Sequence, residues 1–313
     1  MIARRTVFVL GAGASLDYNF PSGPGLVRSI LAGLGDPVSD FFEYVREAAA
    51  VRTIALTEFR TALLESRRTS IDRFLQTRQD YLTIGKAAIA ASLIPLEIEA
   101  NLYKPAEFDW YQYLFDHIIG GASPEFFKRN RLTIVTFNFE RSFEFALFKA
   151  LQASYGLAAE QAAELASSIP VHHIHGDIGE SAWLPRTGGW CRPYSPAMTT
   201  TDVVQAAKRI KLVHEEVEGP TLKAAVGAMA NAERVCFLGF GYHAMNMRRL
   251  CLPQDVRLES YATKPMYGTR LGMTDGEWMP VAQATKSLNF NNYNQSVIQF
   301  LRAQPFVHEE SDT

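Results

Sequence analysis

The first residues that could do chemistry are Gly11 and Gly13, which are separated by one small residue within the segment 6–15. Glycines at this spacing let the backbone pass close to a ligand, with N–H groups free to point at phosphate oxygens. The apolar, β-branched run before them is typical of a buried parallel strand that ends in a tight loop. The third glycine of the usual dinucleotide fingerprint is missing, since Leu16 follows Gly13 by three residues. The loop therefore predicts nucleotide binding, with a plain connecting turn as the alternative.

A second candidate group, His173, His175 and Asp177, stands at alternate positions of the chain. In an extended backbone alternate side chains face the same side, so these three residues could ligate a metal ion, as in metal-dependent hydrolases. The further histidine expected beside Asp177 is missing, because Ile178 follows it. We therefore predict no metal site and keep a metal-dependent hydrolase as the rival class.

Short apolar runs that end in polar residues or glycine must position these groups. The runs begin at Thr6, Arg131, Val171 and Arg234. Helix-compatible sequence separates them, which predicts an α/β fold with a mostly parallel sheet flanked by helices. Ligands bind at the carboxyl ends of the strands in such sheets. The loops at Gly11, Asn138, His175 and Gly239 would converge at that edge.

The segment of about 41–127 is largely helical in character, and no clear strand interrupts it. We expect a helical insertion or subdomain there, within a single domain that spans residues 1–305. The segment 183–201, rich in proline, glycine and aromatic residues, predicts an ordered loop or flap.

Four further elements are predicted towards the C terminus. They are a strand at 256–263, a loop near the site at Gly268 and Thr269, a closing helix at 294–303, and a flexible acidic tail at 306–313.

The composition of the 313 residues, 47% apolar and 20% charged, is ordinary for a globular protein. Because 31 basic residues stand against 33 acidic ones, no general attraction to nucleic acid is expected, and basic pairs such as Arg248 and Arg249 predict solvated faces. No apolar run reaches membrane-spanning length and no signal-peptide core precedes the first strand, so we expect a cytoplasmic protein without membrane contact. The three cysteines include no C-x-x-C pair and cannot build a four-cysteine zinc module.

Four motifs occur in the order seen in the sirtuin superfamily. They are Gly11-Ala12-Gly13-Ala14-Ser15, Thr136-Phe137-Asn138-Phe139-Glu140, His175-Gly176-Asp177 and Phe237-Leu238-Gly239-Phe240-Gly241. The chain resembles the prokaryotic sirtuin-like branch found in anti-phage defence proteins, over about residues 5–300. The resemblance implies a Rossmann-like, NAD-binding domain with a helical module that breaks the nicotinamide–ribose bond. Deacetylase sirtuins carry a four-cysteine zinc module that this chain cannot supply, which shifts the expectation from deacylation to NAD+ hydrolysis.

The same resemblance implies the site residues. His175 falls on the catalytic histidine of the family, and Asn138 falls on the asparagine that holds a ribose hydroxyl and the attacking water. Glu140 stands where the family usually has aspartate, so its carboxylate would be displaced by one methylene. The predicted cofactor-binding residues are Gly11, Ala12, Gly13, Ser15, Phe137, Glu140, Gly239, Phe240 and Gly241. A strand-end histidine bonded to a backbone carbonyl, a helix-capping asparagine and plain loop glycines are the structural alternatives.

The resemblance therefore predicts an NAD+ glycohydrolase that releases nicotinamide and ADP-ribose, with NAD+ as its substrate and no metal. The main alternative is a non-catalytic NAD or ADP-ribose sensor or partner-binding module, and a protein deacylase ranks lower. Uncontrolled loss of NAD+ would be lethal, so we expect an activity that is gated by a homo-oligomer or by a regulatory or sensor protein partner.

Overall fold

Among the residues that the structure describes, the central sheet has six strands, each parallel to its neighbours. The computed structural model describes residues 1–120, 123–183, 189–213, 215, 219–250, 264–285 and 289–304. The strands are Thr6–Leu10 (β1), Leu132–Thr136 (β2), Val171–His173 (β3), Arg234–Leu238 (β6), Met266–Thr269 (β7) and Phe290–Tyr293 (β8). A separate short pair joins Glu180–Ser181 (β4) to Cys191–Arg192 (β5).

The strand order β3-β2-β1-β6-β7-β8 reverses direction at β1. The chain runs outward from β1 through β2 to β3, returns to β6 on the other side of β1, and then runs outward again. Phe8 of β1 is level with Ile134 of β2 and with Cys236 of β6. In open parallel sheets the crevice at such a reversal, outside the carboxyl ends of the strands, is the usual ligand site. The predicted mostly parallel α/β fold is confirmed.

Both faces of the sheet are covered, as the sequence of β1 requires. All five residues of Thr6–Leu10 are buried. Phe8 and Leu10 belong to one hydrophobic cluster, whereas Val7 and Val9 belong to a second cluster on the opposite face. A strand that is apolar at consecutive positions is stable only between two layers, because successive side chains point to opposite faces.

Helices form those layers. They are Gly23–Gly33 (α1), Asp40–Ala48 (α2), Thr53–Glu65 (α3), Ile71–Thr77 (α4), Leu82–Leu93 (α5), Trp110–Ile118 (α6), Pro124–Phe127 (α7), Ser142–Tyr155 (α8), Ala159–Ala166 (α9), Thr200–Arg209 (α10), Pro220–Asn231 (α11), Ala244–Arg249 (α12), Asp275–Ala284 (α13) and Val297–Ala303 (α14). Helix α1 begins at Gly23, with Pro24 in its first turn, where a missing N–H costs nothing.

The segment between β1 and β2 is helical, as predicted. Its central helix α5 is apolar around most of its circumference and packs against α2 and α10. Phe59 of α3 and Phe74 of α4 lie in the same hydrophobic cluster as Phe8 of the sheet. Buried Glu97 of this segment pairs with Arg141, next to α8. The segment is thus packed onto the sheet, while its description as an insertion stays a prediction.

The C-terminal predictions hold only in part. Gly268 and Thr269 were expected in a loop, but they lie in β7, and the Thr269 hydroxyl accepts a hydrogen bond from the Gly239 N–H. The closing helix begins at Val297, and the strand β8 before it was not predicted. The predicted strand 256–263 and the tail 306–313 lie outside the described residues. Within the described ranges, no helix is long and apolar enough for a membrane span.

Candidate active site

The loop after β1 packs directly on the loop after β6. Gly11 N donates to Leu238 O at 3.1 Å, and Gly13 N donates to Gly239 O at 2.9 Å. Gly239 has φ +57°, and a Cβ there would lie 2.1 Å from the Ala14 nitrogen. Only glycine allows this close approach in the left-handed region. The two loops therefore form one rigid unit at the reversal of strand order.

This packing corrects the prediction that the glycine N–H groups are free for phosphate. The N–H groups of Gly11 and Gly13 are bonded to the second loop, and the N–H of Ala14 is bonded to Gly11 O. In the described part of the chain, the Ala12 N–H has no acceptor, and Ala12 is exposed. A phosphate at this loop would meet Ala12 rather than the glycines.

A cavity of about 230 Å³ lies at the carboxyl ends of the strands beside this unit. Nine predicted site residues line it: Gly11, Ala12, Ser15, Phe137, Asn138, Glu140, His175, Phe240 and Gly241. Gly13 and Gly239 do not line the cavity, because they lie in the contact between the two loops. The structure thus brings the two predicted catalytic residues to one cavity.

The side-chain amide of Asn138 is oriented by its neighbours. Its Nδ2 lies 3.1 Å from Gly11 O, 3.0 Å from Ser15 Oγ and 3.3 Å from a Glu140 oxygen. All three atoms can accept hydrogen bonds, which assigns the NH2 group to the loop side. The Asn138 Oδ1 has no hydrogen-bond partner among the described residues. It is an acceptor available to a ligand.

Glu140 orients this amide through Ser15 and through its own carboxylate. One carboxylate oxygen accepts from Ser15 Oγ at 2.5 Å, and the other accepts from the Ser142 N–H at 2.6 Å. The second contact places an acidic group at the first turn of α8, where the helix dipole favours it. Burial raises the pKa of Glu140. Both carboxylate oxygens thus accept hydrogen bonds from the protein, while a part of Glu140 in cofactor binding stays a prediction.

His175 is buried and lies between aromatic and polar neighbours. Its ring is 5.3 Å from the Phe137 ring, and its Nε2 lies 3.2 Å from Asn246 Oδ1. Arg249 Nη1 lies 3.1 Å from Nδ1 and 3.2 Å from Nε2. Burial, and then the charge of Arg249, lower the pKa of His175 to about 4. The imidazole is therefore neutral at pH 7 and able to accept a proton.

His173 has a structural role in the same region. Its Nδ1 lies 2.9 Å from Asn138 O, and its Nε2 lies 2.6 Å from Glu144 Oε1. Burial lowers the pKa of His173, but the charge and the hydrogen bond of Glu144 outweigh burial and raise the pKa to about 9. A protonated imidazole donates from both nitrogens and does not ligate a metal.

The rival metal-site geometry is absent from the described residues. The extended backbone ends at His173, and Gly176 has φ +76°, so the alternate side chains do not share one side. Asp177 accepts two hydrogen bonds from Arg209, at 2.7 and 2.9 Å. Among the residues that the structure describes, no three His, Cys, Asp or Glu side chains are grouped to hold a metal ion.

The position of Arg249 beside His175 was not predicted from the sequence. We expected the pair Arg248 and Arg249 on a solvated face, and only Arg248 is exposed. Arg249 is half-buried, and its Nη2 donates to Val213 O and Glu215 O. Its position eight residues after Gly241, on the helix that leaves the second loop, was the one available signal.

Two larger cavities lie elsewhere. One, of about 770 Å³, lies between α6 and α8 and is lined by Tyr111, Phe115 and Ala150. The other, of about 390 Å³, lies at the amino ends of the strands, near Thr6. No predicted site residue lines either one, so size does not identify the site in this molecule. The candidate site differs from both in the buried polar side chains of Asn138, Glu140 and His175, which line it.

Comparisons with known proteins assign no family. No protein-family model and no curated protein matches the sequence. A solved structure described as Sir2Tm bound to a propionylated peptide is similar over 96% of this chain and 91% of that chain, with 14% identity and a TM-score of 0.39. A likeness at this level assigns neither family nor activity, and the fold assignment stands on the observed strand order.

Proposed function

We propose that this protein hydrolyses NAD+ at the nicotinamide–ribose bond and releases nicotinamide and ADP-ribose. The observation that carries the proposal is the meeting of the Asn138 amide and the neutral His175 imidazole at one cavity, at the reversal of strand order. Open parallel sheets bind nucleotides at this position. The ordered motifs that resemble those of the sirtuin superfamily supply the choice of substrate.

The chemistry needs little more than a held ribose, a placed water and a base. The C1′–N bond breaks, and its electron pair passes to the pyridinium nitrogen, so nicotinamide leaves as a neutral molecule. The ribose develops oxocarbenium character, as in other glycoside hydrolyses. Water then bonds to C1′, and its proton passes to His175. No strong general acid is required, because the leaving group is already cationic.

Asn138 has the free acceptor that the substrate needs. In this proposal its Oδ1 accepts a hydrogen bond from a ribose hydroxyl or from the attacking water. Ser15 and Glu140 hold the amide from behind through the contacts described above. Preorganised polar groups of this kind lower the barrier because they need not reorient during the reaction.

The cavity fits part of the dinucleotide. Its volume of about 230 Å³ is below the range of about 300–1,000 Å³ that is typical of sites for drug-sized ligands, so we assign nicotinamide and its ribose to it. A neighbouring cavity of about 170 Å³ shares Asp72, Val213 and Asn246 with the first. We assign part of the remaining nucleotide to this second space, and the phosphates to the Ala12 N–H.

The test is the turnover of NAD+ by purified protein, followed by chromatography for nicotinamide and ADP-ribose. We expect wild type to release both, and Asn138→Ala and His175→Ala to lose about 100-fold or more of the rate, the usual contribution of a positioned base. Asn231→Ala, at the exposed end of α11, is the matched control and keeps full activity. Equal turnover by all four proteins would refute the site, provided that thermal melting shows them folded.

A non-catalytic NAD or ADP-ribose sensor is the second candidate, and the position of Arg249 favours it. A base with a pKa of about 4 is weak at neutral pH, whereas general bases work best when their pKa lies near the working pH. Calorimetric binding of NAD+ by wild type without release of nicotinamide would establish the sensor.

The motif resemblance further supports the proposal of a gated, NAD-depleting effector of anti-phage defence in the cytoplasm. Gating by self-assembly or by a protein partner would protect the cell from loss of its own NAD+. The test compares NAD+ levels in infected and uninfected cells that express wild type or His175→Ala, together with the oligomeric state of each protein. A fall in NAD+ only in infected wild-type cells is the expected result, and equal NAD+ in all of them contradicts the proposal.

A further inference from the structure

The Nη1 atom of the Arg249 guanidinium lies over the face of the His175 ring. This atom is almost equally far from the two ring nitrogens, at 3.1 and 3.2 Å. No point in the ring plane meets both distances without overlapping a carbon atom of the ring. Nη1 therefore lies above the ring and is not aligned with an in-plane lone pair. Arginine commonly stacks on flat rings in this way.

Two backbone carbonyls fix the guanidinium there. Arg249 Nη2 donates to Val213 O at 2.6 Å and to Glu215 O at 2.5 Å. The same short helix, α12, also supplies Asn246, one turn earlier, whose Oδ1 lies 3.2 Å from His175 Nε2. Residues three apart on a helix share a face, so one helix contacts both the edge and the face of the imidazole.

We propose that Arg249 is a positioning residue that holds His175 in a neutral, weakly basic resting state, and that NAD+ cleavage requires the guanidinium to leave the ring. The requirement for release rests on the proposed NAD+ hydrolysis. The effect of Arg249 on the imidazole does not, and is tested separately.

Burial is the larger cause of the lowered pKa of His175, and the charge of Arg249 is the second. A cation in contact with the ring acts in the same direction as burial, because it raises the free energy of the imidazolium. Glu215 and the hydrogen bond of Asn246 act in the opposite direction on His175, and Asp72 faces Arg249. The described charged groups around the ring thus leave Arg249 as the charge that opposes protonation.

A partner for the released guanidinium is present in the proposed substrate. The pyrophosphate of NAD+ carries two negative charges, and guanidinium groups bind phosphate oxygens in a bidentate manner. Transfer of Arg249 from the ring to the pyrophosphate would raise the basicity of His175 only when the dinucleotide is bound. Substrate binding and activation of the base would then be one event.

The first experiment measures the pKa of His175 by NMR in protein with labelled histidine, without nucleotide. The His175 signal is assigned from its loss in His175→Asn. We expect Arg249→Gln to raise the pKa by at least about one unit. Arg248→Gln is the matched control, because Arg248 is the exposed neighbour on the same helix, and it leaves the pKa unchanged. Arg249→Met, which keeps the apolar stem, replaces Arg249→Gln if that variant does not fold. An unchanged pKa in the folded variant would overturn the proposal.

The second experiment measures NAD+ turnover against pH. If release is required, folded Arg249→Gln has a kcat at pH 7 at least about twofold above wild type, and the acid limb of its kcat/KM profile moves to higher pH. A raised pKa together with a lower kcat would overturn the release step, since Arg249 would then assist catalysis. A raised pKa with no turnover by any variant would refute the proposed hydrolysis while the positioning role stands.

Discussion

Two histidines, two residues apart, differ in charge state: His173, which contacts Glu144 of α8, and His175, which lines the cavity. Burial lowers the pKa of both rings. Glu144 then raises the pKa of His173 to about 9, whereas Arg249 adds to the effect of burial and holds the pKa of His175 at about 4. The sign of one neighbouring charge therefore separates a structural imidazolium from a neutral candidate base.

The two histidines also differ in how they are placed relative to Asn138. His173 holds the backbone carbonyl of Asn138 from the α8 side, while the Asn138 side chain and His175 both line the cavity. A charged histidine with hydrogen bonds at both ring nitrogens suits a structural role, and a neutral histidine suits proton transfer. Both assignments follow from the partners, since the residue type is the same.

The larger of two expected effects of pH on stability occurs at acid pH and comes from His175. His175 has a folded pKa of about 4, below the ordinary value of 6.5, so its contribution to stability is present above pH 6.5 and is lost as pH falls towards 4. Between pH 6.5 and 4.5 this loss is about 2 kcal/mol. We expect the free energy of unfolding of His175→Asn, measured with urea, to lack this part of its dependence on pH. His243, whose pKa burial also lowers, contributes equally to both proteins. If the free energy of unfolding changed with pH in the same way for wild type and His175→Asn, the low pKa would not belong to His175.

A smaller effect is expected on the alkaline side. His173 has a folded pKa of about 9, so its contribution to stability is complete below pH 6.5 and is lost as pH rises through 9. Between pH 6.5 and 8 the loss is about 1.5 kcal/mol. Glu144→Gln removes the charge that raises this pKa. We therefore expect the free energy of unfolding of this variant, measured with urea, to depend less on pH between 6.5 and 8.

The control for Glu144→Gln is Glu164→Gln, on the exposed side of α9. We expect it to keep the wild-type dependence of the free energy of unfolding on pH. The window stops at pH 8 because burial lowers the pKa of Lys264 to about 8, and deprotonation of Lys264 acts in the opposite direction above that pH. If Glu144→Gln lost as much free energy of unfolding as wild type between pH 6.5 and 8, His173 would not be the group responsible.

The sequence predicted the elements whose pattern is local. The run at β1 is apolar at consecutive positions, so a buried parallel strand was the simplest solution, and the runs at β2 and β6 follow the same rule. The strand β8, with sequence FNNY, lacks such a run because it lies at the edge of the sheet, and it was missed. The convergence of Asn138 and His175 was predicted because polar residues that end parallel strands share one edge, while their catalytic roles came from the motif resemblance.

What the sequence did not predict depends on contacts between distant residues. The contacts of Gly13 with Gly239, and of His175 with Arg249, join segments that follow different strands. Alternation of His173, His175 and Asp177 suggested a shared face, but the turn after His173 separates them, and Glu144 and Arg209 take two of the three. Spacing alone does not show which charge will lie beside a side chain.

The most direct measurement of the central claim is a crystal structure of His175→Ala with NAD+ bound. We expect the nicotinamide ribose to lie in the cavity within hydrogen-bond distance of Asn138 Oδ1, with a phosphate oxygen at the Ala12 N–H. NAD+ bound in the cavity beside Tyr111, or no bound NAD+ at saturating concentration, would contradict it.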